Sequence, residues 1–212
     1  MSKVTAIDLW GNEVEKTKRG GGDSVFKIIG SSNHCREARA DDDFYATPPA
    51  AVEMLCNLEK FNHSILEPSC GAGHIAKVLV ARGYEVEGRD LVYRGYGRGG
   101  CDFLATDNRE WGGDIVMNPP YDMAAEFVAK ALSIVKDGAK IAAFLKLTFA
   151  EGKTRRELFD KCPPVRVWVS SSRLSCGKNG VEWAPSAVCY AWWIWQKGFR
   201  GGVSRIEVVQ LI

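Results

Sequence analysis

From residue 64 onward, short apolar runs alternate with amphipathic stretches, an order that predicts strands and helices following one another along the chain. Ser64-Ile65-Leu66-Glu67 reads as a strand, Pro68 to Gly73 as a turn, and His74 to Ala81 as a helix that stops before Gly83. Tyr84 to Gly88 reads as a second strand, with Asp90 just past its end. Asp114 to Met117 is a buried strand stopped by Asn118-Pro119-Pro120-Tyr121, and Ala124 to Val135 a helix stopped by Asp137-Gly138. Ile141 to Leu147 is strongly apolar, Lys153 to Asp160 charged and helical, and Val165 to Val169 alternates as a strand does. Val188 to Trp195 and Ile206 to Leu211 complete the series as a hairpin-like end. The fold class this predicts is α/β: a mostly parallel seven-stranded sheet with an antiparallel terminal hairpin and helices on both faces.

Upstream the pattern changes. In residues 1–40, Gly20-Gly21-Gly22, Ser31-Ser32-Asn33 and scattered Lys and Arg interrupt any apolar period, so this stretch is expected to be a flexible arm. Asp41-Asp42-Asp43 leads into Phe44-Tyr45-Ala46-Thr47-Pro48-Pro49, and residues 50–56 suit a helix entered through proline at its first turn. The compact domain is expected to cover residues 41–212.

Composition narrows the class only slightly. With 212 residues, 46% hydrophobic and 25% charged, the chain is ordinary for one soluble domain with a full core. A formal net charge of +2 does not single out a nucleic-acid binder, because clustering matters more than the sum. Seven scattered cysteines include no CxxC pair, which argues for reduced, mostly buried thiols in a cytoplasmic protein and against a metal site. No apolar run reaches the ~18 residues of a membrane helix.

In an open α/β sheet ligands bind beyond the carboxyl ends of the strands, so the residues just after each strand carry the candidate chemistry. Glu67-Pro68-Ser69-Cys70-Gly71-Ala72-Gly73 joins glycines, which allow close backbone approach to a ligand, to a carboxylate suited to a cation. A phosphate loop is disfavoured, since no GK[ST] follows and Glu67 would repel phosphate. Asp90, 19 residues after Gly71, is placed to accept the hydroxyls of a ribose. Asp102 can accept an adenine amino hydrogen while Phe103 covers the ring.

The tetrapeptide Asn118-Pro119-Pro120-Tyr121 is the most specific feature. Pro120 restricts Pro119, fixing the direction of the Pro119 carbonyl; Asn118 adds a side-chain acceptor and Tyr121 an aromatic face. A rigid pair of acceptors for one NH2 group results. Taking both hydrogens of a conjugated amine returns electron density to its nitrogen, which then becomes a nucleophile without a strong general base.

At these residues the chain resembles the amino-methyltransferases of the class I S-adenosylmethionine-dependent superfamily, which have a Rossmann-like fold. The Asn-Pro-Pro-Tyr form is typical of adenine-N6 enzymes. By resemblance, Asn118 and the Pro119 carbonyl hold the target amine, Pro120 shapes the loop and Tyr121 stacks on the flipped base. Glu67, Pro68, Gly71 and Gly73 then belong to the cofactor loop, Asp90 to the ribose, Asp102 and Phe103 to the adenine pocket. Tyr45, Thr47 and Pro48 are similar to the segment that contacts the methionine end of S-adenosyl-L-methionine, with Asn118 beside it. More loosely, the chain is similar to short phage and prophage enzymes whose closing strand resembles Ala191-Trp192-Trp193-Ile194-Trp195.

The resemblance implies a nucleic-acid partner, DNA favoured over RNA, reached by base flipping or in single strands. No stretch is left over for a separate target-recognition domain, so weak or very short sequence specificity is expected. Contacts to the nucleic acid then fall to Lys16, Lys18 and Arg19, to Lys146 through Arg156, and to the loop 170–180 with Arg173 and Lys178. Trp183, Trp192, Trp193 and Trp195 are candidates for base stacking, although strand alternation puts at least half of them in the core. Three alternatives stay open: an RNA adenine-N6 methyltransferase, a protein-glutamine N5 methyltransferase, and a non-catalytic cofactor-binding subunit.

Overall fold

The computed structural model describes residues 5–7, 13–15, 45–105, 110–172, 174, 177–178, 188–201 and 205–210. In chain order the strands and helices are β1 (Thr5–Ile7), β2 (Glu13–Glu15), β3 (Tyr45–Ala46), α1 (Pro49–Leu58), β4 (Ser64–Glu67), α2 (His74–Ala81), β5 (Glu85–Gly88), β6 (Asp114–Met117), α3 (Ala124–Ile134), β7 (Lys140–Lys146), a 3-10 turn (Leu147–Ala150), α4 (Lys153–Lys161), β8 (Arg166–Ser170), β9 (Gly177–Lys178), β10 (Tyr190–Gln196) and β11 (Arg205–Val209).

Seven strands form the main sheet in the order β11-β8-β10-β7-β6-β4-β5. Six run one way, and β10 is antiparallel to both of its neighbours, β7 and β8. The mostly parallel α/β sheet is therefore as predicted. Its last two strands do not pair with each other, because β10 inserts between β7 and β8 while β11 adds to the outer side of β8 in parallel. β1 and β2 pair antiparallel within the stretch read as an arm.

Burial explains why β6, β7 and β10 read as continuous apolar runs rather than as alternating ones. They occupy the middle of the sheet with helices on both faces, and all four residues of β6 are buried. On one face α1 and α2 pack Val52, Leu55, Ile75 and Leu79 against Val116, Phe144 and Trp192. On the other, α3 and α4 pack Phe127, Val128, Leu132 and Leu158 against Ile115, Val167, Trp193 and Trp195. Trp192, Trp193 and Trp195 are thus all core residues and have no face for a base, a correction to the stacking expectation; Trp183 lies outside the described residues. The Trp192 indole donates to the Ala51 carbonyl at 2.7 Å and that of Trp195 to the Cys162 carbonyl at 3.0 Å. Among the described residues the thiols are less buried than expected: Cys56 and Cys70 are buried, Cys101 and Cys162 half-buried, Cys189 exposed, and Cys35 and Cys176 lie outside them.

Two buried acids tie the amino-terminal ends of the strands together. Asp114 accepts from the Asn62 backbone and side chain and from the Lys140 amide. Glu59 accepts from Arg166, Lys140 and the Trp168 indole. Among the described residues no helix is long and apolar enough to cross a membrane.

Candidate functional site

A cavity of about 520 Å³ opens at the carboxyl ends of β4, β5 and β6, within the range of small-molecule sites. Its lining includes Tyr45, Thr47, Glu67, Pro68, Asp90, Asp102, Phe103, Asn118 and Pro120, residues distant in sequence that the sheet brings to one place. Pro48, Gly71, Gly73, Pro119 and Tyr121 are not on its wall.

The glycine turn positions the acids beneath this wall. Glu67 ends β4, and one of its carboxylate oxygens accepts the Ala76 amide of α2 at 3.0 Å. The Gly71 amide donates to Asp90 Oδ2 at 2.8 Å and the Val92 amide to Oδ1 at 3.0 Å, so the turn and the end of β5 are tied through one carboxylate. Each Asp90 oxygen keeps further lone-pair capacity for a ligand. Asp102 accepts the Leu104 and Ala105 amides through Oδ1.

Gly73 also has a packing role. It is left-handed at φ +79°, and a Cβ built there would lie 2.4 Å from the Tyr96 ring. Gly88 and Gly97 are similarly closed, the first by Tyr96 and the second by the Gly88 carbonyl. The glycines thus seat a tyrosine beneath the turn. Sequence reasoning missed Tyr96, whose only cue was its place between Gly95 and Gly97.

Electrostatically the wall is acidic. Glu67, Asp90, Asp102 and Asp122 line it against Arg94. Burial pushes the Glu67 carboxyl well above the usual range, the Ala76 amide opposes this, and Asp90 adds to the rise. Burial, reinforced by Lys77, pushes His74 below its usual range and keeps the ring neutral. The Cys70 thiol, buried beside Glu67 and Asp90, is pushed up to about 12 and is no nucleophile at neutral pH.

Asn118 is held from the opposite side. Its Nδ2 donates to the Tyr45 carbonyl at 2.7 Å and to Thr47 Oγ1 at 3.0 Å. A carbonyl can only accept, which fixes the amide's orientation. Asn118 Oδ1 is buried and takes no hydrogen bond, while the Asn118 carbonyl accepts from Ser69 at 3.1 Å. The segment carrying Tyr45 is itself paired: β3 forms a short antiparallel ladder with β9, so the connection between β8 and β10 folds back to brace the site. That pairing had no signature in the sequence.

Tyr121 faces a different hollow. Its ring meets Tyr45 at 5.3 Å and Tyr190 at 5.8 Å between centroids, and the Lys146 ammonium lies 4.6 Å from its centre. Of the expected nucleic-acid contacts, Arg156 pairs with Asp160. Lys16, Lys18, Arg19 and Arg173 lie outside the described residues, as does the side chain of Lys178.

No family model and no curated protein matches the sequence. Solved structures match the fold. A Listeria monocytogenes protein assigned to the class I S-adenosylmethionine-dependent methyltransferases matches with a TM-score of 0.55 at 12% identity, over 78% of this chain and 65% of that one. A Vibrio vulnificus protein assigned as the modification subunit of a type I restriction enzyme matches at 0.55 and 16%, over 82% of this chain and 48% of that one. The type IIG restriction endonuclease BpuSI matches at 0.58 and 14%, over 80% of this chain and 27% of its own. The chain spans less than two thirds of the length of each of these proteins. At such identities the likeness is one of architecture: the chain has the fold of the class I S-adenosylmethionine-dependent methyltransferases.

Proposed function

We propose that this protein transfers a methyl group from S-adenosyl-L-methionine to the exocyclic N6 amino group of adenine in DNA. The observation that carries the reading is Asn118, which lines the cavity and whose side-chain oxygen Oδ1 is buried without a partner. A buried polar atom without a partner costs on the order of 1–3 kcal/mol, and an arriving N–H donor would satisfy it.

The chemistry of the wall suits the cofactor. Four carboxylic residues against one arginine favour a cation over a phosphate-bearing ligand. Glu67 would face its positive charge, Asp90 would accept ribose hydroxyls, and Asp102 with Phe103 would hold the adenine. When bound, the sulfonium supplies an electrophilic methyl.

The rest falls to the chain's own residues. Asn118 Oδ1 and the Pro119 carbonyl would each accept one hydrogen of the substrate amine, drawing its lone pair out of conjugation and orienting it. Tyr45 and Thr47 keep the Asn118 amide from rotating. Tyr121 would support the plane of the ring. The fold shared with restriction-modification proteins supports DNA as the acceptor.

Incubation with labelled cofactor and DNA, RNA or a protein release factor, followed by digestion, identifies the methylated unit. The expected product is N6-methyladenine in DNA; label recovered only as N6-methyladenosine in RNA, or as N5-methylglutamine, overturns the assignment. Asn118→Ala is expected to reduce methyl transfer by about 10²–10³-fold, the scale of losing one preorganised hydrogen-bonding group, with cofactor binding retained in calorimetry. A non-catalytic subunit would show no transfer to lose.

A further inference from the structure

The Asn118-Pro119-Pro120-Tyr121 turn partitions two hollows that share no lining residue. Asn118 and Pro120 face the large cavity, while Tyr121 faces a second hollow of about 50 Å³ with Ala124, Leu145, Lys146, Thr148, Phe149 and Arg155. A water's share of liquid is about 30 Å³, so this space takes a small group and not a base.

Its two cations differ from most half-buried or paired cations of this molecule, Lys197, which donates to the Leu132 carbonyl, being another without an acid among the described residues. Lys140, at the other end of β7, pairs with Glu59; Arg156, next in sequence to Arg155, pairs with Asp160; Lys161 pairs with Glu157. Lys146 and Arg155 are half-buried, yet neither has a carboxylate at ion-pair distance among the described residues. Lys146 rests on the Tyr121 ring instead. Arg155 is fixed in place: its Nη1 donates to the carbonyls of Thr148, Phe149 and Glu151, and its guanidinium lies 5.0 Å from the centre of the Phe149 ring. Those bonds use one nitrogen and leave the Nε and Nη2 donors for another partner. Thr148 adds an exposed hydroxyl between the two cations in sequence.

Two partly desolvated cations without an acid, one of them preorganised, describe a place for an anion that arrives from outside. We infer that Lys146, Thr148 and Arg155 form a seat for a backbone phosphodiester of the strand that presents the acceptor base, resting on the function proposed above. The seat shares no lining residue with the acidic cavity, so the charged parts of strand and cofactor have separate sites. Because Lys146 rests on the Tyr121 ring, its ammonium is held at this second hollow, where a phosphate oxygen can pair with it.

The test is binding of the full chain to a single-stranded oligodeoxynucleotide containing adenine, read by fluorescence anisotropy across a salt series. Lys146→Met keeps the length of the side chain and removes the charge. It is expected to weaken binding at low salt by about fivefold and to flatten the slope of log K against log salt by about 0.7, the effect of one lost phosphate contact on a single strand. Adding Arg155→Gln flattens it further. One neutral methylphosphonate linkage near the acceptor should cost the wild type what Lys146→Met costs, and cost Lys146→Met nothing more.

Unchanged slope and affinity in a Lys146→Met protein with a native circular dichroism spectrum would overturn the seat, as would a scan of linkages that finds no such position. Competition by inorganic phosphate far below the concentrations at which salt itself competes would assign the hollow to a free anion and overturn the strand. The two readings fail separately. Charge-dependent binding without methylation of DNA removes the proposed function and leaves the seat, whereas methylation of DNA with an indifferent Lys146→Met removes the seat and leaves the function.

Discussion

Two glutamates are buried at opposite ends of the same sheet, Glu59 at 3% exposure and Glu67 at 1%, and the fold treats them in opposite ways. At the amino-terminal ends, burial would push Glu59 up, yet hydrogen bonds from Arg166, Lys140 and the Trp168 indole outweigh it and hold the carboxyl below its ordinary value. At the carboxyl ends, Glu67 has one amide and no cation, and burial holds it well above. The first group is closed by the protein itself. The second belongs to a residue that lines a cavity and has no cation beside it, and Asn118, whose Oδ1 has no partner, lines the same cavity. A buried polar group that the chain satisfies marks architecture; one that it leaves unsatisfied beside an empty space marks a place for a ligand.

The sharpest way to break this comparison is to neutralise Glu59. Glu59→Gln leaves Arg166 and Lys140 facing a neutral group, and the expected loss is about 3 kcal/mol, the low side for a buried ion pair because both cations keep some water. Urea unfolding at neutral pH measures it. An acid held low when folded contributes stability above its unfolded pKa and loses it as pH falls through the folded value, so the gap between wild type and variant should close in acid. A gap that persists there would mean that Glu59 acts by packing, not charge.

How much of this was legible beforehand follows the same division. Period and punctuation revealed nearly every element of the sheet, and β4, α2 and β6 fall on the predicted residues, because these are short runs bounded by glycine, proline and turn residues. The sites at strand ends could be read for the same reason: an open α/β sheet puts such residues on one edge. What could not be read was contact between distant segments. Nothing in Glu59 signals Arg166 or Trp168, more than a hundred residues away, and nothing in Gly177-Lys178 signals a ladder with Tyr45-Ala46. Gly73 was read for close approach to a ligand, and the structure adds two further demands on it, a left-handed backbone and the absence of a side chain where the Tyr96 ring lies. The tryptophans of β10 carried the wrong suggestion because a central strand buries both faces, so alternation no longer separates core from surface.

The next effect has the opposite sign. Glu67→Gln replaces a carboxyl that is costly to ionise with a neutral isostere, so stability at neutral pH should rise by about 1 kcal/mol. An acid whose folded pKa is raised binds more protons folded than unfolded, and stability falls as pH rises from the unfolded value through the folded one. Wild type and variant should therefore coincide in acid and separate as pH rises. Under the proposed function the same change weakens the cofactor by about tenfold, or about 1.4 kcal/mol. In the wild type, cofactor affinity should increase as pH rises through the Glu67 range, with proton release detectable by calorimetry in buffers of different ionisation enthalpy. Equal affinity in both proteins would separate Glu67 from the positive charge it is proposed to face.

The smallest effect tests whether an unsatisfied atom alone is enough. Among the described residues the Trp193 indole Nε1 is also buried without a hydrogen-bond partner, but it lies in the core and lines neither hollow. Its ring is stacked on Phe159 and Trp195 and edged by Phe149, so its packing is complete where its hydrogen bonding is not. By the argument from cavities this donor waits for nothing. Trp193→Phe removes the orphaned N–H and part of the ring together, exchanging a relieved polar group for lost packing, and the two should nearly cancel to within about 1 kcal/mol. Cofactor affinity and methyl transfer should not change. A variant that unfolds normally but loses activity would show that an unsatisfied group can serve the site without touching a cavity, and the distinction drawn from Glu59 and Glu67 would then need more than burial and an empty neighbour to support it.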